Sequence, residues 1–375
     1  MISFTEKQFK SILNKHKTVD SWFWSRYSIN PYNGCQFGCI YCDARSDKYH
    51  LPTDFENNIV VKKQPEVLLD ERLTRARTLR PDVVVLGGTT DPYQPAERTH
   101  RNTRNLLEVL ARHLYPAHVI TKSRLVAEDA ALLERIAEDT WAAVSITISS
   151  ANETTARLLD YRAPSPLGRF QTIEALKKQA PSVKAGVLAI PIVPAIADKP
   201  KELETLVKQS KDSGADYLLF SPGLTLRDSQ ALWFLKHIKE QMPEAMPALE
   251  RLYQFEYNPE SYTGNHVPNN EYHHRIAQTM LELLTKHDLA YRIPRWLPND
   301  FRKHNYRLAE RFLNNAYYCQ IQNRPNQDLG WAAKLLHDLP GSITQLPPEQ
   351  LAEHFQSISP RADKYLAKWI GDLNP

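Results

Sequence analysis

The sequence predicts an α/β fold built on parallel strands and followed by a helical C-terminal region. Short apolar runs recur between Asp82 and Pro222, and segments with helical periodicity separate them. Such alternation is typical of parallel βαβ units. The strand pattern then fades after a polar, turn-rich stretch at Asn258–Asn270. A sandwich of hairpins would need turns every 8–12 residues or so, and these are absent.

The apolar runs define five strands whose starts lie 25 to 40 residues apart: Val83–Gly87, His118–Thr121, Ala143–Ile148, Val183–Ile192 and Tyr217–Phe220. An earlier unit is predicted with a strand near Tyr27–Ile29 or Ile59–Val61 and a helix over Pro65–Arg77. These segments make about six βα units, enough for a barrel or part of one. A doubly wound open sheet would show the same alternation.

Helices are predicted between the strands, at Thr103–His113, Glu128–Glu138, Leu167–Lys178 and Lys201–Ser213. In the C-terminal region a helix is predicted over Glu271–His287, with Asn270 as its N-cap, and another over Asn299–Tyr318. We therefore predict two domains. Residues 1–255 form the core with an N-terminal extension, and residues 256–375 form the helical region.

The composition describes an ordinary globular chain. It has 375 residues, 42% hydrophobic and 24% charged, which excludes a disordered or fibrous protein. The net charge of +4 does not by itself indicate nucleic-acid binding. The longest apolar stretch, Ala185–Ala197, is shorter than the roughly 20 residues of a membrane span. The first residues lack the apolar core of a signal peptide. We predict a cytoplasmic protein.

The four cysteines are too few for a disulfide-stapled fold, and three of them lie within eight residues. Cys35, Cys39 and Cys42 are spaced to surround one centre, and Gly34 and Gly38 let their loop wrap closely. A structural zinc ion, with a nearby His or Asp as fourth ligand, is one interpretation. A [4Fe–4S] cluster is the other. With three cysteines, one of its irons keeps an open position, which favours chemistry over scaffolding.

The CxxxCxxC spacing, with Tyr41 just before the last cysteine, resembles the hallmark of the radical S-adenosylmethionine (SAM) superfamily. Further segments follow in the order of its spore photoproduct lyase-like branch: NPYNGCQFGCIYCDAR, TTDPYQPAE at Thr89–Glu97, TKS at Thr121–Ser123, SITIS at Ser145–Ser149 and RAPSPLGRF at Arg162–Phe170. The resemblance spans residues 28–225 or thereabouts.

This resemblance implies both a fold and an activity. The fold is a partial parallel (β/α)6 barrel, with the cysteine loop at the C-terminal mouth of the strands and a helical extension beyond. Cys35, Cys39 and Cys42 would bind one [4Fe–4S] cluster, whose open iron chelates SAM. An electron from a reductant such as flavodoxin or ferredoxin then cleaves SAM to a 5′-deoxyadenosyl radical, which abstracts hydrogen from the substrate.

The resemblance also implies a set of cofactor contacts. Lys122 resembles the lysine that binds the SAM carboxylate, and Ser145 can add a hydroxyl contact. Thr90 and Asp91 end a turn that resembles the ammonium-binding loop, and Tyr41 is expected to touch the adenine. Structural alternatives exist, because Asp91 could simply start a turn before a proline and Ser145 could be an ordinary strand residue.

One position departs from the branch. Its repair enzyme uses a cysteine, just before a Ser/Thr-Asp pair, to return a hydrogen atom to the product radical. Gly88 stands at that place, and a glycine has no thiol chemistry. We therefore expect a lyase-like radical SAM enzyme that does not repair spore photoproduct, and we assign no catalytic residue. Cys319 is interpreted as a small buried hydrophobe.

A basic run in the C-terminal region points to an anionic substrate. It is interleaved with Trp296, Phe301 and Tyr306 and comprises Arg292, Arg295, Arg302, Lys303, Arg307 and Arg311. Such a run can bind a nucleic acid through phosphate contacts and stacking, although a solvated amphipathic helix has the same pattern. Two alternative functions follow: a metal-stabilised nucleic-acid-binding protein without catalysis, and an electron-transfer protein, which is expected to need four cluster ligands.

Overall fold

The computed structural model describes residues 2–52 and 54–345, together with residues 353, 355, 361, 362 and 364. The chain divides into two compact units. The first comprises the residues up to Asn14 and Tyr27–Ile293, and the second comprises Lys15–Arg26 and the residues from Pro294 onwards. None of the described helices is long and apolar enough to cross a membrane.

Ten strands are described: β1 (Ser3–Lys7), β2 (Asn14–Lys15), β3 (Tyr27–Ile29), β4 (Tyr32–Asn33), β5 (Asn58–Lys62), β6 (Val84–Leu86), β7 (Ala117–Thr121), β8 (Ala142–Thr147), β9 (Lys184–Ile192) and β10 (Tyr217–Pro222). Within the first unit the main sheet has the order β3-β6-β7-β8-β9-β10, and every neighbouring pair is parallel. The order follows the chain in one direction. A doubly wound sheet would reverse at a switch point.

The predicted α/β fold, a partial parallel (β/α)6 barrel with a helical extension, is therefore confirmed. In the described residues β3, the first of these six strands, does not pair with β10, the last, so the sheet is open. All six residues of β8 are buried, as expected for a parallel strand covered on both faces. A Cβ at Gly186 of β9 would lie 2.6 Å from the ring of Tyr217, so only glycine lets that ring cross the strand.

The other predicted early strand, β5, belongs to a small second sheet. In it, β5 pairs in parallel with β1 and antiparallel with β4. Both of the alternative early strands thus exist, but only Tyr27–Ile29 joins the main sheet.

The helices of the first unit are α1 (Pro65–Arg75), α2 (Glu97–His100), α3 (Asn102–Arg112), α4 (Ala130–Asp139), α5 (Glu153–Leu159), α6 (Pro166–Gln179), α7 (Pro200–Asp212), α8 (Asp228–Gln241), α9 (Met246–Tyr253) and α10 (Asn270–Lys286). Helix α6 begins after Ser165, whose hydroxyl accepts the N–H of Gly168. Helix α10 is capped by Asn269, whose side chain accepts the N–H of Tyr272. The predicted cap, Asn270, is instead the first helical residue.

The second unit contains α11 (Arg302–Ile321) and α12 (Gln327–Asp338), which pack against each other. Helix α11 begins three residues later than predicted, because the carboxylate of Asp300 accepts the N–H of Arg302 ahead of the first turn. Trp22 lies edge-on to Tyr317 of α11, with 5.0 Å between ring centroids.

The predicted domain boundary at 255/256 stays a prediction. In the structure the compact units divide after Ile293, because α10 packs against α7 and β10 and so belongs to the first unit. Residues 346–352 and most of those after 355 lie outside the described part of the predicted helical region.

Candidate active site

The cysteine loop follows β3 and β4 and is shaped by two glycines. Gly34 has φ +84°, and a Cβ there would lie 2.6 Å from the carbonyl oxygens of Phe55 and Asn58. Gly38 has φ +59°. Both conformations favour glycine, so the loop can turn tightly beside β5. The predicted need for glycine in this loop has a direct structural reason.

All three loop cysteines are free thiols. Cys39 is buried, and Cys35 and Cys42 are partly buried. Burial raises the pKa of Cys35 to about 12, and the negative charge of Asp91 adds to this effect. Burial also raises the pKa of Cys39 and Cys42. Thiols in such a setting ionise when a bound cation compensates the charge, which suits metal ligands.

Two side chains that the motif analysis did not single out hold this loop in place. Gln94 accepts the N–H of Gln36 at 3.0 Å and donates to the carbonyl oxygen of Gly34 at 3.1 Å. Arg45 donates to the carbonyl oxygens of Cys39 at 3.3 Å and Gly38 at 3.2 Å. Both residues lie in the quoted motifs. The motifs therefore marked these positions, but they did not indicate that the two side chains hold the loop.

Arg45 is itself fixed by its surroundings. Its guanidinium lies 4.8 Å from the ring centroid of Phe55 and 4.1 Å from that of Trp233. It also lies 3.4 Å from the carboxylate of Glu56, and both side chains are buried. This stacked, ion-paired arginine anchors the backbone of the cysteine loop.

The donor set fits an iron–sulfur cluster. Three thiols lie on one glycine-shaped loop, and thiolates are the usual ligands of such clusters. Across residues 2–52, 54–345 and the five described beyond them, no group of three or more His, Cys, Asp or Glu side chains could hold a metal ion. In a [4Fe–4S] cluster each thiolate binds a different iron, so the three thiols need not converge on one ion.

Lys122 lies beside the loop, directly after β7. Its Nζ is 5.4 Å from the ring centroid of Tyr41. Burial opposes its charge, but the neighbouring Cys39 and Asp160 outweigh that effect and hold the pKa of the ammonium well above its usual range. The hydroxyl of Tyr41 is 3.0 Å from Oγ of Ser149, just beyond β8. The structure thus brings Lys122 and Tyr41 together at the C-terminal ends of β7 and β8.

Asp91 joins two neighbouring βα units. Its carboxylate accepts the N–H of Tyr93 at 2.9 Å, the hydroxyl of Thr121 at 2.6 Å and the N–H of Lys122 at 2.7 Å. The hydroxyl of Thr90 donates to the carbonyl oxygen of Tyr32 at 3.3 Å. Both residues therefore order the turn after β6, and their contact with a cofactor stays a prediction.

Ser145 lies deeper in the sheet. Its Oγ is 2.7 Å from Nε2 of His118 and 2.7 Å from the hydroxyl of Tyr217, and all three residues are fully buried. The hydroxyl thus links β7, β8 and β10. Its predicted contact with a cofactor stays a prediction.

A buried ion pair near Cys39 was not anticipated. Arg169 Nη1 lies 2.7 Å from Oδ2 of Asp160 and 3.0 Å from the carbonyl oxygen of Thr147. Asp160 also acts electrostatically on Cys39 and raises the pKa of its thiol, after the larger effect of burial. Arg169 belongs to the RAPSPLGRF segment, whereas no sequence signal marked Asp160.

The basic run divides between packed and accessible side chains. Arg302 is buried, with its guanidinium 2.8 Å from Asp300 and 5.7 Å from the ring centroids of Trp296 and Tyr306. Arg295 stacks on Trp24 at 5.2 Å and donates to the carbonyl oxygen of Tyr306 at 2.9 Å. These two arginines pack the second unit.

The other members of the basic run differ in exposure. Arg307 is exposed, whereas Lys303, Arg311 and Arg292 are partly exposed. Arg292 lies in the first unit and the rest of the run in the second. Nucleic-acid contact by the run stays a prediction. Cys319 is partly buried, on α11.

Residues 29–206 match the family model described as the Radical SAM superfamily. The chain therefore carries a radical SAM domain, the core of a superfamily of enzymes, and the resemblance drawn from its motifs is confirmed.

Solved structures agree on the fold. A cysteine-to-serine mutant of spore photoproduct lyase matches with a TM-score of 0.55 at 15% identity, over 76% of this chain and 79% of that one. Spore photoproduct lyase complexed with dinucleoside spore photoproduct matches with a TM-score of 0.54 at 14% identity and the same coverage. A third structure of that enzyme, with bound AdoMet, matches with a TM-score of 0.50 at 14% identity, over 70% and 74% of the two chains.

Curated relatives have no described activity. An uncharacterised protein of Mycobacterium tuberculosis is 29% identical over 293 residues, which cover 77% of this chain and 82% of the relative. An uncharacterised protein of Methanocaldococcus jannaschii is 24% identical over 222 residues, or 59% of this chain and 78% of the relative.

Proposed function

We propose that the protein is a radical SAM enzyme in which Cys35, Cys39 and Cys42 hold one [4Fe–4S] cluster. The observation that carries the proposal is the set of three thiols on the glycine-shaped loop, clamped by Arg45. Bound there, the cluster and SAM supply reductive cleavage of the sulfonium to a 5′-deoxyadenosyl radical that abstracts hydrogen from the substrate.

The residues around the loop bind and orient the cofactor. The ammonium of Lys122 pairs with the carboxylate of SAM, and the ring of Tyr41, 5.4 Å from that ammonium, contacts the adenosyl part. The carboxylate of Asp91 accepts the N–H of Lys122 and so holds the backbone of this lysine in position. The buried Cys39 and Tyr41 limit the access of water to the loop, which protects a reactive radical.

We further propose a nucleic-acid substrate, a flavodoxin or ferredoxin as reductant and a cytoplasmic location. The exposed Arg307 and partly exposed Lys303 supply positive charge for phosphate contacts. One structure with the same fold is complexed with a dinucleoside. Because Gly88 provides no thiol, the reaction on that substrate differs from the repair of spore photoproduct.

The proposal is tested by anaerobic reconstitution with iron and sulfide, reduction, and chromatography for 5′-deoxyadenosine. We expect a brown protein that forms 5′-deoxyadenosine from SAM. Replacing Cys35, Cys39 or Cys42 by Ala should abolish both the iron content and the product, whereas Cys319→Ala should leave both unchanged. A colourless protein that carries zinc and still binds nucleic acid would refute the enzyme proposal. Loss of iron in Cys319→Ala would refute the three-ligand cluster.

A further inference from the structure

A cavity of about 590 Å³ borders the cysteine loop in the first unit. Phe37, which lies between two of the cysteines, forms one side, and Ser123, which follows Lys122, forms another. Pro95, Leu125 and Pro164 give it an apolar wall. The cavity therefore lies where a substrate of the proposed radical site would enter.

Three arginines from different segments line this cavity: Arg98 from α2, Arg124 from the turn after β7, and Arg162 from the segment before α6. All three side chains are exposed. Among the described residues, none of their guanidinium groups has a carboxylate within 4.0 Å, although Glu128 is also in the lining. The cavity thus gathers three positive charges against one carboxylate, and no ion pair among the described residues joins them.

A second cavity, of about 440 Å³, adjoins the first and shares Arg98, Leu125 and Glu128 with it. It adds Arg101, which is also exposed. Its other carboxylates are engaged within the protein. Glu97 accepts the N–H of Thr103 at 2.8 Å, and the carboxylate of Asp129 binds Arg104 and the hydroxyl of Tyr93. Together the two cavities form a groove that starts at the cysteine loop, and its lining has five arginines against three carboxylates, an excess of positive charge.

We propose that this groove binds consecutive phosphate groups of a nucleic-acid chain and guides one nucleotide to the cysteine loop. Guanidinium groups match the geometry of phosphate oxygens and remain charged at every physiological pH. The extension from Arg162 through Arg98 to Arg101 provides for more than one phosphate, which favours a polynucleotide over a small phosphate ester. The apolar wall suits the sugar and base between phosphates.

This inference rests on the proposed function but locates substrate binding in the first unit. It is independent of the basic run at 292–311. Three of the arginines that line the groove, at positions 98, 124 and 162, are 26 and 38 residues apart in the chain, so no local sequence pattern brings them together.

The test compares two double variants of the full chain that each remove two exposed arginine charges. Arg98→Gln with Arg124→Gln removes charge from the groove. Arg77→Gln with Arg135→Gln is the matched control, because both arginines are exposed and line neither cavity. Arg162 is left in place because its guanidinium also donates to the carbonyl oxygen of Glu56 and to Asn57.

Binding of a fluorescein-labelled single-stranded 15-mer is measured by fluorescence anisotropy from 50 to 300 mM salt, without SAM. We expect the groove variant to raise the Kd about 10- to 100-fold and to reduce the slope of log K against log salt by about 1.4, or 0.7 for each lost phosphate contact. The control should change the Kd by less than about threefold. A mononucleotide should compete only at far higher concentration than the unlabelled 15-mer.

Equal weakening by the control, or an unchanged Kd and slope in the groove variant, would overturn the proposal. Competition by the mononucleotide at the concentration of the 15-mer would overturn its polynucleotide part. Failure of the protein to cleave SAM would refute the proposed function. Because binding is measured without SAM, the result of the binding test does not depend on that cleavage.

Discussion

Arg169 and Asp160 form an ion pair at 2.7 Å in which both side chains are only 1% exposed. Arg169 also donates to the carbonyl oxygens of Pro164 at 2.8 Å and Thr147 at 3.0 Å. The pair therefore ties the segment between α5 and α6 to the end of β8. The N–H of Ile40 donates to the carbonyl oxygen of Leu159 at 3.0 Å, which joins the end of α5 to the cysteine loop.

Arg169→Met should destabilise the protein by about 3–5 kcal/mol, because it leaves the carboxylate of Asp160 buried without its partner. Urea denaturation followed by circular dichroism measures the loss. Arg157→Met is the control, since the Arg157–Glu153 pair is exposed and should contribute less than about 1 kcal/mol. Equal losses in the two variants would contradict a special role for the buried pair.

Replacing each of two neighbouring glycines by alanine should have opposite effects on the stability of the protein. Gly87 has φ +103°, and a Cβ there would lie 2.3 Å from the carbonyl oxygen of Ile120, so Gly87→Ala should cost about 1–3 kcal/mol or more. Gly88 has nothing within 4 Å of its built Cβ, so Gly88→Ala should be neutral or stabilise by up to about 1 kcal/mol.

Thermal denaturation of both glycine variants checks the ranking, and a Gly88→Ala protein less stable than Gly87→Ala would contradict it. The open space also means that Gly88→Cys should fold. This variant would place a thiol where the motif resemblance puts the cysteine of the repair enzyme, and its effect on the reaction can be measured.

Glu97 should make stability depend on pH. Burial raises the pKa of its carboxyl from 4.5 to about 7, against the hydrogen bond that Tyr32 donates to it. The folded state then binds more protons than the unfolded state, so stability falls as the pH rises from about 4.5 through 7, by on the order of 3 kcal/mol.

Glu97→Gln keeps an oxygen for the N–H of Thr103 and removes the titration. The free energy of unfolding of this variant, measured in urea at pH 5 and pH 7.5, should change less than that of the unmodified protein. An identical change in the two proteins would show that Glu97 does not titrate in this window.

Lys122→Ala should weaken SAM binding to the reconstituted protein by about 10- to 100-fold, which corresponds to the loss of one charge-assisted hydrogen bond. Equilibrium dialysis with labelled SAM measures the affinity directly. Lys178→Ala removes an exposed lysine of α6 as a control and should leave the affinity unchanged. Unaltered binding in Lys122→Ala would remove this lysine from the cofactor site.

The sequence by itself determined the features that depend on neighbouring residues. The sequence pattern predicted the helix that begins at Pro65, and the order of strands and helices indicated the parallel sheet. The cysteine spacing and the two loop glycines were equally visible, because backbone conformation and ligand spacing are local properties.

Only the tertiary structure decided what distant residues do together. It assigned the two early strands to different sheets. It placed the hydroxyl of Ser145 within hydrogen-bond distance of His118 and Tyr217, and it packed Arg302 against Trp296. It also paired Asp160 with Arg169 and gathered arginines from three separate segments around one cavity. These outcomes depend on which surfaces pack together. A charged or polar side chain has the same local pattern whether a partner buries it or solvent surrounds it, so the sequence alone cannot distinguish the two.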